Sequence, residues 1–590
     1  MKIVEGEISR FLEGKVQYQI PIYQRKYSWG KEECERLLED VIKVAEDEKR
    51  SSHFIGSIIY MAPEGWQNES ALKKYQVIDG QQRLTTISIL LLALGDYSQE
   101  VLSSNDITNS DLSSEAIKED YLINKRFSDD DYYKLKLTEE DFVVYKSLLS
   151  KRTLPDGVQS SQLYENYLTF LKNMRIAKKA PATIFAGINK LKIGDISLVP
   201  DDNAQLVFET VNSTGLSLSA PDKIRNFILM NLDENKQKEI YNEYWHPMEL
   251  RFGLHKAGIK DFNDFFFYYT SILTQEKGSS DYYKTFKAYY LGVAADEIEI
   301  AVKNMVRYSK HYKRWLDAEE YSIGIDRLLF NLKSTGQWKV IPTVMQVVDN
   351  LENGILTMND AKLILKYIEA YIIRRQLCRL PSNSAGEAYA SMQRSVGTVN
   401  EFAECLHSLT EKQRIPSDEE LYKTLKTISL YGDFPGLRSV LDRMEEYINK
   451  DYCHNDDHSI EHIMPQKIES EEDLYARTDL SAEEKEKRNW AGDLGDDWKI
   501  VHDTYCDTIG NLTLTGYNTE YKNYRFLLKR DMQEKENGIC YGYKQTCIHL
   551  SASLATKEKW GEEEILERAK EMTDIIISIW PDPKRATEQL

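Results

Sequence analysis

Histidine is sparse in this 590-residue chain, and one of the ten, His462, stands beside Glu461 in the string SIEHIMPQ. Asn511 follows in TIGNLTLT, with Asn518, Asn523 and Lys529 beyond it. Phosphodiester hydrolysis asks for a base that activates water and for positive charge on the phosphate and leaving oxygen. A neutral imidazole suits the first task near physiological pH, and an oxygen-ligand set around magnesium or a similar ion suits the second. A second group is contiguous: Asp79-Gly80-Gln81-Gln82-Arg83, inside KKYQVIDGQQRLTTIS. Its chemistry is anion binding, because a helix N-terminus presents unpaired N–H groups and a positive dipole end. Gly80 lets a phosphate approach the backbone, Gln81 and Gln82 add donors, and Arg83 can fork onto phosphate oxygens, with Asp79 holding Arg83 or a metal ion. The same five residues also suit an ordinary strand-to-helix corner with a capping Asp and a surface ion pair.

These side chains need elements to hold them. KKYQVID reads as a strand, Asp79-Gly80 as a sharp turn, and the run through LTTISILLLAL as a buried helix starting near Gln81. Upstream, QYQIPIYQR (Gln17 to Arg25) is rich in β-formers, with Pro21 at an edge or strand end. EECERLLEDVIKVAED places Cys34, Leu37, Leu38, Val41, Ile42 and Ala45 on one helical face, and HFIGSIIY is a strand. AQLVFETVNSTGLSLSAPDKIRNFILMNL reads as a further strand-turn-helix unit, its helix capped by Ser219 with Pro221 and Asp222 in the first turn. From about Asn231 to Lys450 the patterns are almost all helical, and the many Tyr and Phe there read as core.

Beyond that point SIEHIMP and TIGNLTLT form the two strands of a hairpin that carries a long insertion, and EYKNYRFLLKRDM is the helix after it. Such a unit brings His462 from a strand and Asn518 from the helix start to opposite sides of one metal. His454, His458 and His462 recur every fourth residue, but their neighbours favour loop and then strand, so the first two read as solvated. His502, in WKIVHDTY, reads as structural. The expected fold is α+β and mainly helical, in three regions: 1–230, 231–450 and 451–590.

DGQQR after IPIYQRKYSW, with FETVNSTGLSLS further on, resembles the N-terminal module of GmrSD-type modification-dependent (type IV) restriction enzymes, over roughly Met1 to Asn231. The resemblance implies a fold related to ParB and sulfiredoxin, with Asp79, Gly80, Gln81, Gln82 and Arg83 binding a nucleoside triphosphate. Tyr23, Gln24 and Arg25 would form the second wall of that pocket or part of a surface that senses modified DNA. EHIMP, GNLTL and the downstream Asn and Lys resemble the HNH (ββα-metal) nuclease finger found in the C-terminal half of these enzymes. Carried over, His462 is the general base, Glu461 the first metal ligand and Asn511 the residue that pins the hairpin. Asn518, with Asn523 as its rival, is the last metal ligand, and Lys529 neutralises phosphate charge. The implied activity is a magnesium- or manganese-dependent DNA endonuclease of phage defence, gated by a nucleoside triphosphate it binds or hydrolyses. The alternative is a ParB-like, nucleotide-controlled DNA-binding protein with an inactive nuclease module. The implied partners are DNA and the triphosphate, with a homodimer left open.

Composition sets limits. The longest apolar run, Ile87 to Leu94, falls far short of the roughly 20 residues of a membrane span, and MKIVEGEISRFLEGK has no secretory apolar core. Seven cysteines without a CxxC pair read as free thiols of a cytoplasmic protein. A net charge of −19 argues against a chain that coats nucleic acid indiscriminately. DNA would have to meet local basic segments: Lys172 to Lys192, Lys303 to Trp315, and Arg374, Arg375 and Arg379.

Overall fold

Strands β1 (Lys2–Glu7), β2 (Val16–Gln19), β3 (His53–Met61), β4 (Lys73–Asp79), β5 (Leu135–Lys136) and β6 (Leu191–Leu198) pair into one mixed sheet in the order β1-β6-β3-β4-β2-β5. This is a computed structural model, and it describes residues 1–61, 72–101, 112–151, 161–199, 202–212, 219–230, 232–253, 256–319, 322–450, 457–535, 538–539 and 541–583. The chain is α+β and mainly helical, as expected. It divides into two compact units: Met1–Asn263 with Tyr283–Lys303, and Asp264–Tyr282 with Asn304–Leu590.

In the first unit β4 lies between β3, antiparallel to it, and β2, parallel to it. The Gln81–Val101 helix leaves the end of β4 and is buried almost all round, from Leu84 through Leu94. That explains why its apolar residues show no single face: a helix covered on every side needs none. The Lys31–Glu46 helix buries Cys34, Leu38 and Val41 in the same core. One expectation fails. AQLVFETV is not a strand but the first part of the Ala204–Asn212 helix, whose start is fixed by the Asn203 amide oxygen accepting the Leu206 N–H at 2.9 Å. Ala204, Val207 and Phe208, spaced i, i+3, i+4, pack on Ile59, Ile78 and Leu198 of the sheet, so tertiary packing overrides the β-forming composition. The next helix, Ala220–Leu229, is capped by the Ser219 hydroxyl as the sequence indicates. Residues 213–218 of the FETVNSTGLSLS block lie outside the described residues.

In the second unit β7 (Ser459–His462) pairs antiparallel with β8 (Leu512–Thr515), His462 opposite Leu512. Ile460, Leu512 and Leu514 pack against Leu437, Val440 and Leu441 of one helix and Ala569, Met572 and Ile576 of the Glu562–Ile579 helix. The buried Arg568 guanidinium donates to the carbonyls of Gly510 (2.8 Å), Leu512 (2.7 Å) and Leu550 (3.0 Å). EYKNYRFLLKRDM does not form one helix. It makes two short ones, Asn518–Tyr521 and Phe526–Asp531, parted where Lys522 takes φ +46° and breaks the helical path.

Candidate functional site

At the end of β4 the chain turns through Gly80, at φ +95°. A Cβ there would stand 2.9 Å from the Ser57 carbonyl oxygen, so only glycine lets β4 pass this close to β3 before the helix begins. Asp79 and Arg83 face each other at 3.8 Å, and the Arg83 Nη1 donates to the Ser57 carbonyl at 2.8 Å. Gly56, which the sequence reading did not single out, leaves the space that guanidinium occupies: its Cβ would lie 2.7 Å from Arg83 Cζ. Burial pushes the Asp79 carboxyl up, against the pull of Arg83, the Gly80 N–H and Arg25.

The two glutamines are more deeply set than donors aimed at solvent. The Gln82 amide oxygen accepts from the backbone N–H of Ser28 (2.8 Å) and Trp29 (3.3 Å), and its amide nitrogen donates to the Lys26 carbonyl. Gln81 donates to the Arg25 carbonyl at 3.3 Å, while its Oε1 is buried and has no hydrogen-bond partner among the described residues. Gln24 donates to the Ile78 carbonyl at 2.9 Å. Tyr23 is buried, and its carbonyl takes the Arg225 Nε, which is in turn held by Asp222 and Glu249. Segment 23–29 is thus stitched onto the start of the Gln81–Val101 helix. A cavity of about 560 Å³ opens beside the same segment, with Ile20, Pro21, Leu137 and Phe142 as apolar walls and Gln76 and Lys146 among its polar groups.

On β7, neighbouring side chains point to opposite faces. Glu461 turns into the interior, where its Oε1 accepts from Lys529 Nζ at 2.6 Å and from the Tyr543 hydroxyl at 3.4 Å. Lys529 is fully buried and also donates to the His462 (3.0 Å) and Ile463 (3.1 Å) carbonyls. His462 turns the other way. Its Nε2 meets Asp507 Oδ1 at 2.9 Å, and the Tyr431 ring stands edge-on with centroids 4.5 Å apart. Burial holds the imidazole below its ordinary pKa of 6.5, an effect that Asp507 opposes. With Nε2–H donating to the carboxylate, the lone pair lies on Nδ1 of a neutral ring.

Asn511 spends its whole amide on the frame. Its oxygen accepts from Met464 N–H (2.8 Å) and Trp560 Nε1–H (3.0 Å), and its nitrogen donates to the Met464 and Cys506 carbonyls (both 2.8 Å). Asn518 donates to the Ile460 carbonyl (2.9 Å) and the Ser459 hydroxyl (3.2 Å). Asn523 lies in the turn between the two short helices. His502 Nε2–H donates to the Pro465 carbonyl (3.0 Å), a structural contact. His454 is outside the described residues. Asp507 and Tyr431 were not visible as site residues in the sequence, since Asp507 precedes the GNLTL string without a motif and Tyr431 comes from a distant turn.

The basic segments divide. Arg374 and Arg375 are buried, Arg374 on Asp418 and the Pro416 and Trp580 carbonyls, Arg375 on the Lys412 and Arg414 carbonyls, so the expectation that they meet DNA is overturned. Tyr308, Tyr312 and Trp315 are buried too and are not a stacking platform. Lys172 and Lys178 are exposed, whereas Arg175 and Lys179 pair with Glu100 and Glu46.

A sheet-to-helix corner in one unit and a pinned hairpin bearing a carboxylate-bound histidine in the other fit a restriction endonuclease of two parts. Residues 8–229 match the family described as GmrSD restriction endonuclease, N-terminal domain, and residues 415–575 the family described as GmrSD restriction endonucleases, C-terminal domain. The chain belongs to the GmrSD restriction endonucleases, and DNA is accordingly its partner. No curated protein matches it. Among the described residues, no helix is long and apolar enough to cross a membrane.

Proposed function

We propose that this restriction endonuclease cuts modified foreign DNA with His462 as its general base, under the control of a nucleoside triphosphate bound at Asp79 to Arg83. The observation that carries the cleavage half is the 2.9 Å bond from His462 Nε2 to Asp507. It fixes the tautomer so that Nδ1 can take a proton from water, and burial keeps that nitrogen unprotonated at neutral pH. Asn511, just before β8, holds the backbone of Met464 just after β7, so the imidazole is aimed by the frame. A divalent cation would polarise the phosphate and stabilise the leaving oxygen. Asn518 keeps an amide oxygen suited to an ion such as magnesium or manganese, with Asn523 as the rival. Glu461, as arranged, does not fit a ligand role, because the Lys529 ammonium occupies its oxygen.

The sensor half rests on the corner geometry. Arg83, with 31 % of its side chain exposed, stands at the start of a long helix beside a backbone that only Gly80 permits. The cavity beside Ile20 and Phe142 has the volume and mixed lining that would admit an extruded, modified base. Defence by cutting only modified DNA, with the triphosphate as gate, follows from joining these halves in one chain.

The test is a cleavage assay on a panel of modified and plain DNAs, with magnesium, with and without each triphosphate. Equal cutting of all substrates in every condition would overturn the gating. The buried Glu461–Lys529 pair favours a second reading, a nucleotide-controlled DNA-binding protein whose nuclease module is inactive. His462→Ala decides: if cleavage or phage protection survives it unchanged, the nuclease assignment at this hairpin is wrong.

A further inference from the structure

We propose that His462, Cys506 and Asp507 form a second cation site, one that captures a zinc-class ion and thereby switches the nuclease off. The three ligand atoms all lie within 4.8 Å of one another. They are also held before any ion arrives. The Cys506 N–H donates to the His502 carbonyl at 3.0 Å, closing the Trp498–Tyr505 helix, and the Cys506 carbonyl takes the Asn511 amide at 2.8 Å. The Asp507 carbonyl accepts from Leu430 N–H at 2.8 Å, and Asp507 keeps 37 % of its side chain exposed, a route in from solvent.

The chemistry selects the ion. One imidazole nitrogen, one thiol sulfur and one carboxylate oxygen make a borderline-soft set, which suits zinc, cobalt(II) or cadmium at metal–ligand distances of about 2.0–2.3 Å. Magnesium, which demands oxygen ligands and keeps its waters, gains little there. This set is separate from the oxygen donors at Asn518, and it shares His462 with the proposed reaction.

Inhibition follows from the tautomer. An ion on Nε2 displaces the proton that Asp507 holds there, and the neutral ring then carries its proton on Nδ1, the nitrogen that must accept one from water. The metal ligand is the Cys506 thiolate, so the ion has to displace the thiol proton as well. Capture therefore releases one proton per site, from the thiol, while the imidazole proton moves from Nε2 to Nδ1. Affinity should rise with pH accordingly.

The inhibitory half rests on His462 being the base; the binding half does not, and the test separates them. Cobalt(II) is titrated into the full-length chain, and the sulfur-to-cobalt charge-transfer absorption is followed, with zinc added to displace it. One equivalent of thiolate-bound cobalt is expected in the wild type, and none in Cys506→Ser, with His502→Ala as the control that retains it. Zinc should inhibit magnesium-supported cleavage by the wild type at a concentration at least tenfold lower than it inhibits Cys506→Ser, each measured against its own uninhibited rate. Absence of the band, or the same band in Cys506→Ser, overturns the site. A normal band on a chain that cuts no DNA under any condition would overturn the function proposed above and with it the inhibition, leaving the ion site in place.

Discussion

Lys529 and Glu461 meet at 2.6 Å with neither side chain reaching solvent, and the same ammonium also takes the carbonyls of His462 and Ile463. The pair ties the helix after the hairpin to the strand that carries the histidine. A buried charge left without its partner is far more costly than the pair itself is favourable.

Lys529→Met should therefore destabilise the hairpin unit by about 3–5 kcal/mol, as a stranded buried charge does, lowering its thermal transition by on the order of 10 °C. Combining it with Glu461→Gln removes the stranded charge and should recover much of the loss. A single variant as stable as wild type would show that the pair is not closed in solution.

The pH profile of cleavage carries a sign. His462 sits below its ordinary 6.5 because of burial, and Asp507 raises it. The acid limb of kcat/KM should lie below 6.5 in the wild type. In Asp507→Asn it should shift further down while the plateau falls at least about tenfold, since the tautomer is no longer fixed. For stability the direction is the same: a histidine buried neutral stabilises the fold above its unfolded value and loses that contribution as pH falls toward the folded one. An acid limb that moves up on losing Asp507 would refute the assignment.

At the corner, Arg83→Ala should weaken triphosphate binding at least tenfold, the scale of a lost charge-assisted contact, with little change in unfolding temperature because its pairing with Asp79 at 3.8 Å is partly exposed. Isothermal titration on the full chain measures both wild type and variant. Equal affinities would mean that the corner is structural and the nucleotide, if any, binds elsewhere.

Gln82→Leu keeps the volume but leaves the N–H groups of Ser28 and Trp29 without their acceptor. The expected result is faster amide hydrogen exchange confined to residues 25–30, with the helix behind it unaffected. Unchanged protection there would show that the glutamine does not hold the segment.

How much of this could be read in the sequence varies by element. The strand, Asp-Gly turn and buried helix around Gly80 were legible because turn chemistry and apolar length are local signals. The β7–β8 pairing was legible too, although a long insertion separates its strands, because SIEHIMP and TIGNLTLT each announce themselves. What failed was decided by packing: AQLVFETV has strand composition, but its i, i+3, i+4 face meets Ile59 and Leu198 and the segment becomes a helix. Arg374 and Arg375 look like a basic patch in one dimension, and only the fold reveals the carbonyl cages around them. Asp507 could not be found in advance, since its meaning lies wholly in a distance to His462.

The order in which the ribosome delivers the pieces has its own consequence. The histidine strand emerges first, but two of its supports, the Trp560 indole on Asn511 and the Arg568 guanidinium under Gly510 and Leu512, lie well downstream, just before and within the Glu562–Ile579 helix. A nascent chain that has not yet reached Arg568, or one cut short before Trp560, carries the His462 strand without part of the frame that holds it.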